Sequence, residues 1–193
     1  MVATHLQATA LKINKSGTGE QGCALNRRAA PARLRPSLAI LGAVAALFGE
    51  TAAPAASNKV RISNLSDVAF GMIPNLSSDA VQSQSVCIYA DTNTNGYTVT
   101  GIGAGPGGTF QLLSGGAALS YDILWSSSSG QSSGSQLTPN VPLTGQVSAA
   151  THQSCSNGPS TTASLVVRLR SSVLSSAAAG SYAGTLTLII GPE

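Results

Sequence analysis

Short runs in which apolar and polar residues alternate recur along the second two-thirds of the chain, each bounded by glycine, serine, asparagine or proline. Residues 59–62, 85–89, 97–100, 109–113, 119–125, 164–170 and 182–190 read as strands, because a period of two sets alternate side chains on one sheet face. In the last run Leu186, Leu188 and Ile190 fall on one buried face and Thr185 and Thr187 on the other, and Pro192 stops the ladder. Seven short strands with little helical periodicity predict an all-β fold, a β-sandwich. Between them, Asp91-Thr-Asn-Thr-Asn-Gly96 reads as a hairpin turn, since Asn-Gly accepts positive φ, and residues 126–135 read as a flexible Ser/Gly loop. Residues 175–180 (SSAAAG) are expected to be a loop or a single turn leading into the final strand.

The N-terminal third follows a different pattern. Residues 37–48 (SLAILGAVAALF) form an apolar run of twelve, preceded by Arg27, Arg28, Arg33 and Arg35. That is short of the roughly twenty residues a membrane span needs, and Ala53-Pro54-Ala55 supplies a small-residue cleavage pattern, placing the cut between Ala55 and Ala56. The expectation is a leader and secretory signal over 1–55, with one exported domain over 56–193 and no integral span in it. Residues 1–26 show little periodicity and read as an overextended start, outside the fold.

Removing the leader changes the charge. The formal +3 of the whole chain includes six basic residues before position 56, whereas Lys59, Arg61, Arg168 and Arg170 face Asp67, Asp79, Asp91, Asp122 and Glu193 in the rest, a net −1. No basic surface for nucleic acid follows. Cys23 lies in the leader, which leaves Cys87 and Cys155, 68 positions apart, as an even pair expected to form one disulfide in an oxidising compartment.

Candidate chemistry is thin. Gly101-Ile-Gly-Ala-Gly-Pro-Gly-Gly108 imitates a phosphate loop, but such a loop must open a helix, and here a strand follows. His152 is the one histidine after position 55, so a zinc site of several N or S ligands is not expected, and no cofactor is called. Asp122, His152 and a serine make a triad only on paper, without a nucleophile elbow, and the chain reads as no enzyme. Tyr121 and Trp125 read first as core aromatics and second as a sugar-stacking platform.

The ending Ala179-Gly-Ser-Tyr182-Ala-Gly184-Thr-Leu-Thr-Leu188 resembles the closing strand of the spore coat protein U/Csu-type family, the archaic pilus subunits of the chaperone–usher pathway. The apolar strand leading into Phe70-Gly71, the pair from Val86-Cys87 to Thr100, and Leu119-Ser-Tyr121 resemble further family segments. The resemblance implies an immunoglobulin-like sandwich lacking its final strand and completed by a donated one. It implies a groove walled by Leu186, Leu188 and Ile190 and opposed by Val60 and Ile62. The implied partners are a periplasmic chaperone, an outer-membrane usher and other pilus subunits, and the implied location is the periplasm, then the cell surface or fimbrium. That the sequence stops at Glu193 accords with the missing strand. Two departures from the family pattern matter: only Ala56-Ser-Asn58 precede the first strand after the expected cut, too short for a donor arm, and the usual cysteine near the first strand is absent. The first departure points to a tip or terminal subunit. The alternative reading is a self-complete secreted binding domain for a glycan or surface ligand, using Tyr121 and Trp125.

Overall fold

The computed structural model describes the backbone of residues 6–17 and residues 58–193 in full. The run Ala163-Ser-Leu-Val-Val-Arg-Leu169 becomes the central strand of one sheet, buried at six of its seven positions. We number the strands in chain order: β1 (Leu6–Gly17), β2 (Lys59–Ser63), β3 (Gly71–Ile73), β4 (Ala80–Asp91), β5 (Gly96–Ile102), β6 (Gln111–Ser114), β7 (Ala117–Ser120), β8 (Asp122–Ser126), β9 (Ser135–Gln136), β10 (Leu143–Val147), β11 (Ala163–Leu169) and β12 (Gly180–Pro192). One short helix, α1 (Ser171–Leu174), precedes β12, and the Asp79 carboxylate accepts a hydrogen bond from the Ser171 amide at its start (2.8 Å). The last turn before β12 therefore begins four residues earlier than residues 175–180.

Two sheets pack as a β-sandwich around one hydrophobic core. The five-stranded sheet runs β2-β4-β11-β8-β9, entirely antiparallel. The seven-stranded sheet runs β10-β5-β12-β1-β3, with the β6–β7 hairpin joined to β12 through Ala183 and Leu113. Trp125, Tyr97 and Tyr182 anchor the core. The Trp125 Nε1–H donates to the Tyr97 hydroxyl (3.2 Å), and the two rings meet edge to face at 6.4 Å, so the polar tips of both residues are paired as they leave water.

Two expectations are corrected. Residues 91–96 do turn, with Asn95 at φ 54° and its amide bonded to the Thr92 carbonyl, but the strands they join lie in different sheets: β4 pairs with β2 and β11, β5 with β12 and β10. The segment is a crossover between layers, not a hairpin. Likewise 119–125 is not one strand. β7 pairs with β6, β8 pairs with β11, and the chain changes sheet at Tyr121, whose amide donates to the Phe110 carbonyl.

Candidate functional site

β12 is the element on which the expected site depends, and its sequence explains its shape. Leu186, Leu188 and Ile190 point into the core with at most 2% exposure, as the alternation requires. The Tyr182 hydroxyl donates to the Ala178 carbonyl (3.0 Å), tying the start of the strand to the loop that feeds it, in the manner of the tyrosine corner of sandwich folds. Gly184 is required for a different reason: a Cβ there would meet the Gln111 carbonyl oxygen at 2.8 Å, where the backbone of β6 crosses β12. The Tyr-x-Gly spacing of the C-terminal motif thus encodes one anchor and one close approach of two backbones.

On one side β12 pairs antiparallel with β5, Thr187 opposite Ile102 through Pro192 opposite Tyr97. On the other side it pairs parallel with β1, from Leu6 opposite Gly180 to Gly17 opposite Ile190. The far edge of β1 pairs antiparallel with β3 over Leu6–Ala8. Residues 6–17 therefore stand between β12 and β3, whereas sequence reading set this segment outside the fold.

Of the expected groove residues, Leu186, Leu188, Ile190 and Ile62 are buried in one cluster and Val60 packs half-buried against it. β2, which carries Val60 and Ile62, approaches both β12 and β1 from the opposite sheet. Sequence reading missed β3 and β1 as neighbours of this place. A signal for β1 was present: Leu6, Ala8 and Ala10 alternate with polar residues, and the phase then slips to Leu11 and Ile13.

Cys87 and Cys155 form a disulfide with Cα atoms 6.1 Å apart. It fastens the 148–162 loop to β4, and the same loop satisfies the backbone of Ile88: the Thr162 hydroxyl accepts from its amide (2.9 Å) and donates to its carbonyl (3.0 Å). The 127–134 loop lies over β11, where the Ser164 hydroxyl donates to the Ser128 carbonyl and accepts from the Gln131 amide. The expected cleavage residues Ala55 and Ala56 lie outside the described residues.

The alternative chemistry fares differently. Trp125 and Tyr121 are 1% and 5% exposed, so neither ring presents a face on which a sugar would stack. Tyr121 stacks on Phe110 instead (5.6 Å), and burial pushes its phenol pKa well above the usual range. The Asp122 carboxylate is held by Arg168 (2.9 Å) and Arg170 (2.6 Å), whereas the His152 Nδ1 contacts Ser154 and Ser156, so Asp122 and His152 have different partners. Arg168 and Arg170 thus pair locally, and the Asp122 contact raises the Arg170 pKa further. Among the described residues no group of three His, Cys, Asp or Glu could hold a metal ion, and no helix is long and apolar enough to cross a membrane.

No protein-family model matches this chain, and a search of curated proteins finds no significant relative.

Proposed function

We propose that this chain is an exported, non-enzymatic subunit of a pilus or cell-surface fibre, related to the spore coat protein U/Csu-type subunits and assembled by strand complementation through a periplasmic chaperone and an outer-membrane usher. The observation that carries the reading is the strand position between β12 and β3. Among the described residues, the polypeptide from Lys59 to Pro192 supplies every other strand of the sandwich, and this position is taken by residues 6–17, from beyond a 41-residue connection. A domain without that segment would present the edge of β12 together with an apolar floor, a combination that attracts another strand. Alternate side chains of a donor would fill the floor while its backbone extends the ladder. The Cys87–Cys155 disulfide is in keeping with an oxidising compartment.

The test is to recover the protein from the periplasm of its own host, sequence its N-terminus and identify what travels with it. A chain beginning at Ala56, bound to an immunoglobulin-like chaperone and lost when that chaperone is deleted, is the expected outcome. A chain beginning at Ala56 that is monomeric and equally abundant without any chaperone would overturn the proposal.

A further inference from the structure

We propose that Asn157-Gly158 is a self-modifying step of this domain: the Gly158 backbone nitrogen attacks the Asn157 side-chain amide, ammonia leaves, and water opens the resulting succinimide to aspartate or isoaspartate, with the Thr151 hydroxyl stabilising the charge that develops during the attack. The site lies in the 148–162 loop, on the outer face of the five-stranded sheet. Cys87 points away from the main core, which holds its neighbours Val86 and Ile88, and joins Ala150 and Cys155 of that loop in a separate cluster.

The chain contains two Asn-Gly steps, and the fold treats them oppositely. Glycine after asparagine is the least hindered arrangement for this ring closure, because no Cβ stands beside the attacking nitrogen. At Asn95-Gly96 the closure is blocked. The Asn95 amide donates to the Thr92 carbonyl and its own carbonyl accepts from the Ser148 amide, while the Gly96 carbonyl accepts from the Glu193 amide and the Thr92 hydroxyl. Gly96 is buried and opens β5, so the nitrogen cannot turn onto the Asn95 side chain without breaking several of these bonds. Asn157 and Gly158 are instead exposed and lie outside every strand. Among the described residues no acceptor meets the Gly158 amide. Gly158 sits at φ 115°, and a Cβ there would meet the Thr151 Oγ1 at 2.8 Å, so this position both requires glycine and lies directly against the threonine.

Thr151 supplies the chemistry that exposure alone does not. Its hydroxyl donates to the Asn157 backbone carbonyl oxygen at 2.7 Å. Attack begins when solvent base removes the Gly158 amide proton, and the electron pair left on nitrogen is shared with that same carbonyl oxygen. A hydroxyl already aimed at the oxygen stabilises the anion as an oxyanion hole does. The nitrogen then bonds to the Asn157 Cγ, and the bond from Cγ to the side-chain nitrogen breaks, its electron pair leaving with ammonia, which takes its third proton from water. Water next adds to one of the two ring carbonyls. Opening on the side-chain side restores the normal backbone with an aspartate; opening on the backbone side leaves isoaspartate, whose main chain is one carbon longer. Water is the only co-reactant. The loop tolerates the change, since Ser148, the Cys155 disulfide and Thr162 hold it to β4 at other positions. Either product adds a negative charge to a region, 56–193, that already carries a net −1.

The experiment follows the full chain during incubation at mildly alkaline pH in heavy-oxygen water, with peptide mapping by mass spectrometry and an isoaspartate methyltransferase assay on the fragments. In the folded chain Asn157 is expected to convert, with uptake of the heavy isotope, while Asn95 stays intact. In urea with the disulfide reduced, both are expected to convert at similar rates. Thr151→Val should slow the reaction at Asn157 about tenfold, the worth of one hydrogen bond to the reacting peptide, and Thr151→Ser, which keeps the hydroxyl, should restore it. Equal conversion of Asn95 and Asn157 in the folded chain, no conversion at Asn157, or chain cleavage after Asn157 in place of deamidation would overturn the proposal. An unchanged rate in Thr151→Val would overturn the part given to the hydroxyl. The comparison of the two asparagines in the unaltered chain holds even if a threonine variant fails to fold.

Discussion

The two sheets of this sandwich are completed in different ways. All five strands of the β2-β4-β11-β8-β9 sheet come from one continuous stretch, and its outer features are tied down by the disulfide, by Ser164 and Thr162, and by the Asp122–Arg168 ion pair. In the sheet built on β12, β5 and β6 pair with one edge of that strand; its other edge pairs with a segment separated by 41 residues, which in turn joins it to β3. The lesson is that burial alone does not mark the weak place. Leu188 and Leu165 are both fully buried, yet one of the two strands beside Leu188 comes from a segment 41 residues away in sequence, whereas both strands beside Leu165 come from the 59–193 stretch.

The strongest way to break the contrast is Leu188→Asp. An ionised carboxylate on the inward face of β12 costs several kcal/mol, comparable to the stability of a whole domain, so folded protein should not accumulate in a periplasmic expression assay. Normal yield of folded variant would show that β12 does not wall a buried groove. Next in size is removal of the disulfide on the other sheet. Closing a 68-residue separation is worth about 4 kcal/mol in the chain-entropy picture, so Cys87→Ser with Cys155→Ala should lower the thermal midpoint markedly while β12 keeps its relative exchange protection. A smaller effect is expected where the sheets meet: Trp125→Phe leaves the Tyr97 hydroxyl buried without its donor and should cost about 1–3 kcal/mol in urea unfolding.

Alkali probes the same junction. Burial pushes the Tyr97 phenol up from 10.0 to about 12, the Trp125 hydrogen bond offsetting part of the rise. Because the neutral form is the one the fold favours, this contribution is whole below pH 10.0 and is lost as pH rises from there towards about 12. Thermal midpoints should therefore fall over that window, together with the appearance of phenolate absorbance; a midpoint flat across it would contradict the burial of Tyr97.

Much of this was legible in the sequence, and what was not has physical reasons. β2, β5, β11 and β12 match their alternating runs to within two residues, since a half-buried strand imposes that period. β4 begins five residues before its predicted start because Ala80-Val-Gln-Ser-Gln84 is polar on its exposed edge. β3, β9 and β10 are too short, or too polar, for a period to register. The 91–96 turn was recognised by its Asn-Gly, but turn chemistry does not say whether the next strand pairs back or crosses to the other sheet. Of the expected site, the inward series on β12 and the cysteine pair were readable from spacing. The roles of Tyr182 and Gly184 were not, since both depend on where the Ala178 carbonyl and β6 lie in space. β1 escaped because its alternation breaks at Ala10-Leu11, and only pairing with β12 reveals that the break is a single extra residue.

The most direct test of the difference between the sheets is hydrogen exchange on the full chain carrying a protease site between Gly17 and Ala55, measured before cutting and after the released piece is washed away. The account predicts that the β12 amides lose protection on release while β4 and β11 keep theirs, and that added 6–17 peptide restores β12. Full protection of β12 after the segment has gone would contradict it.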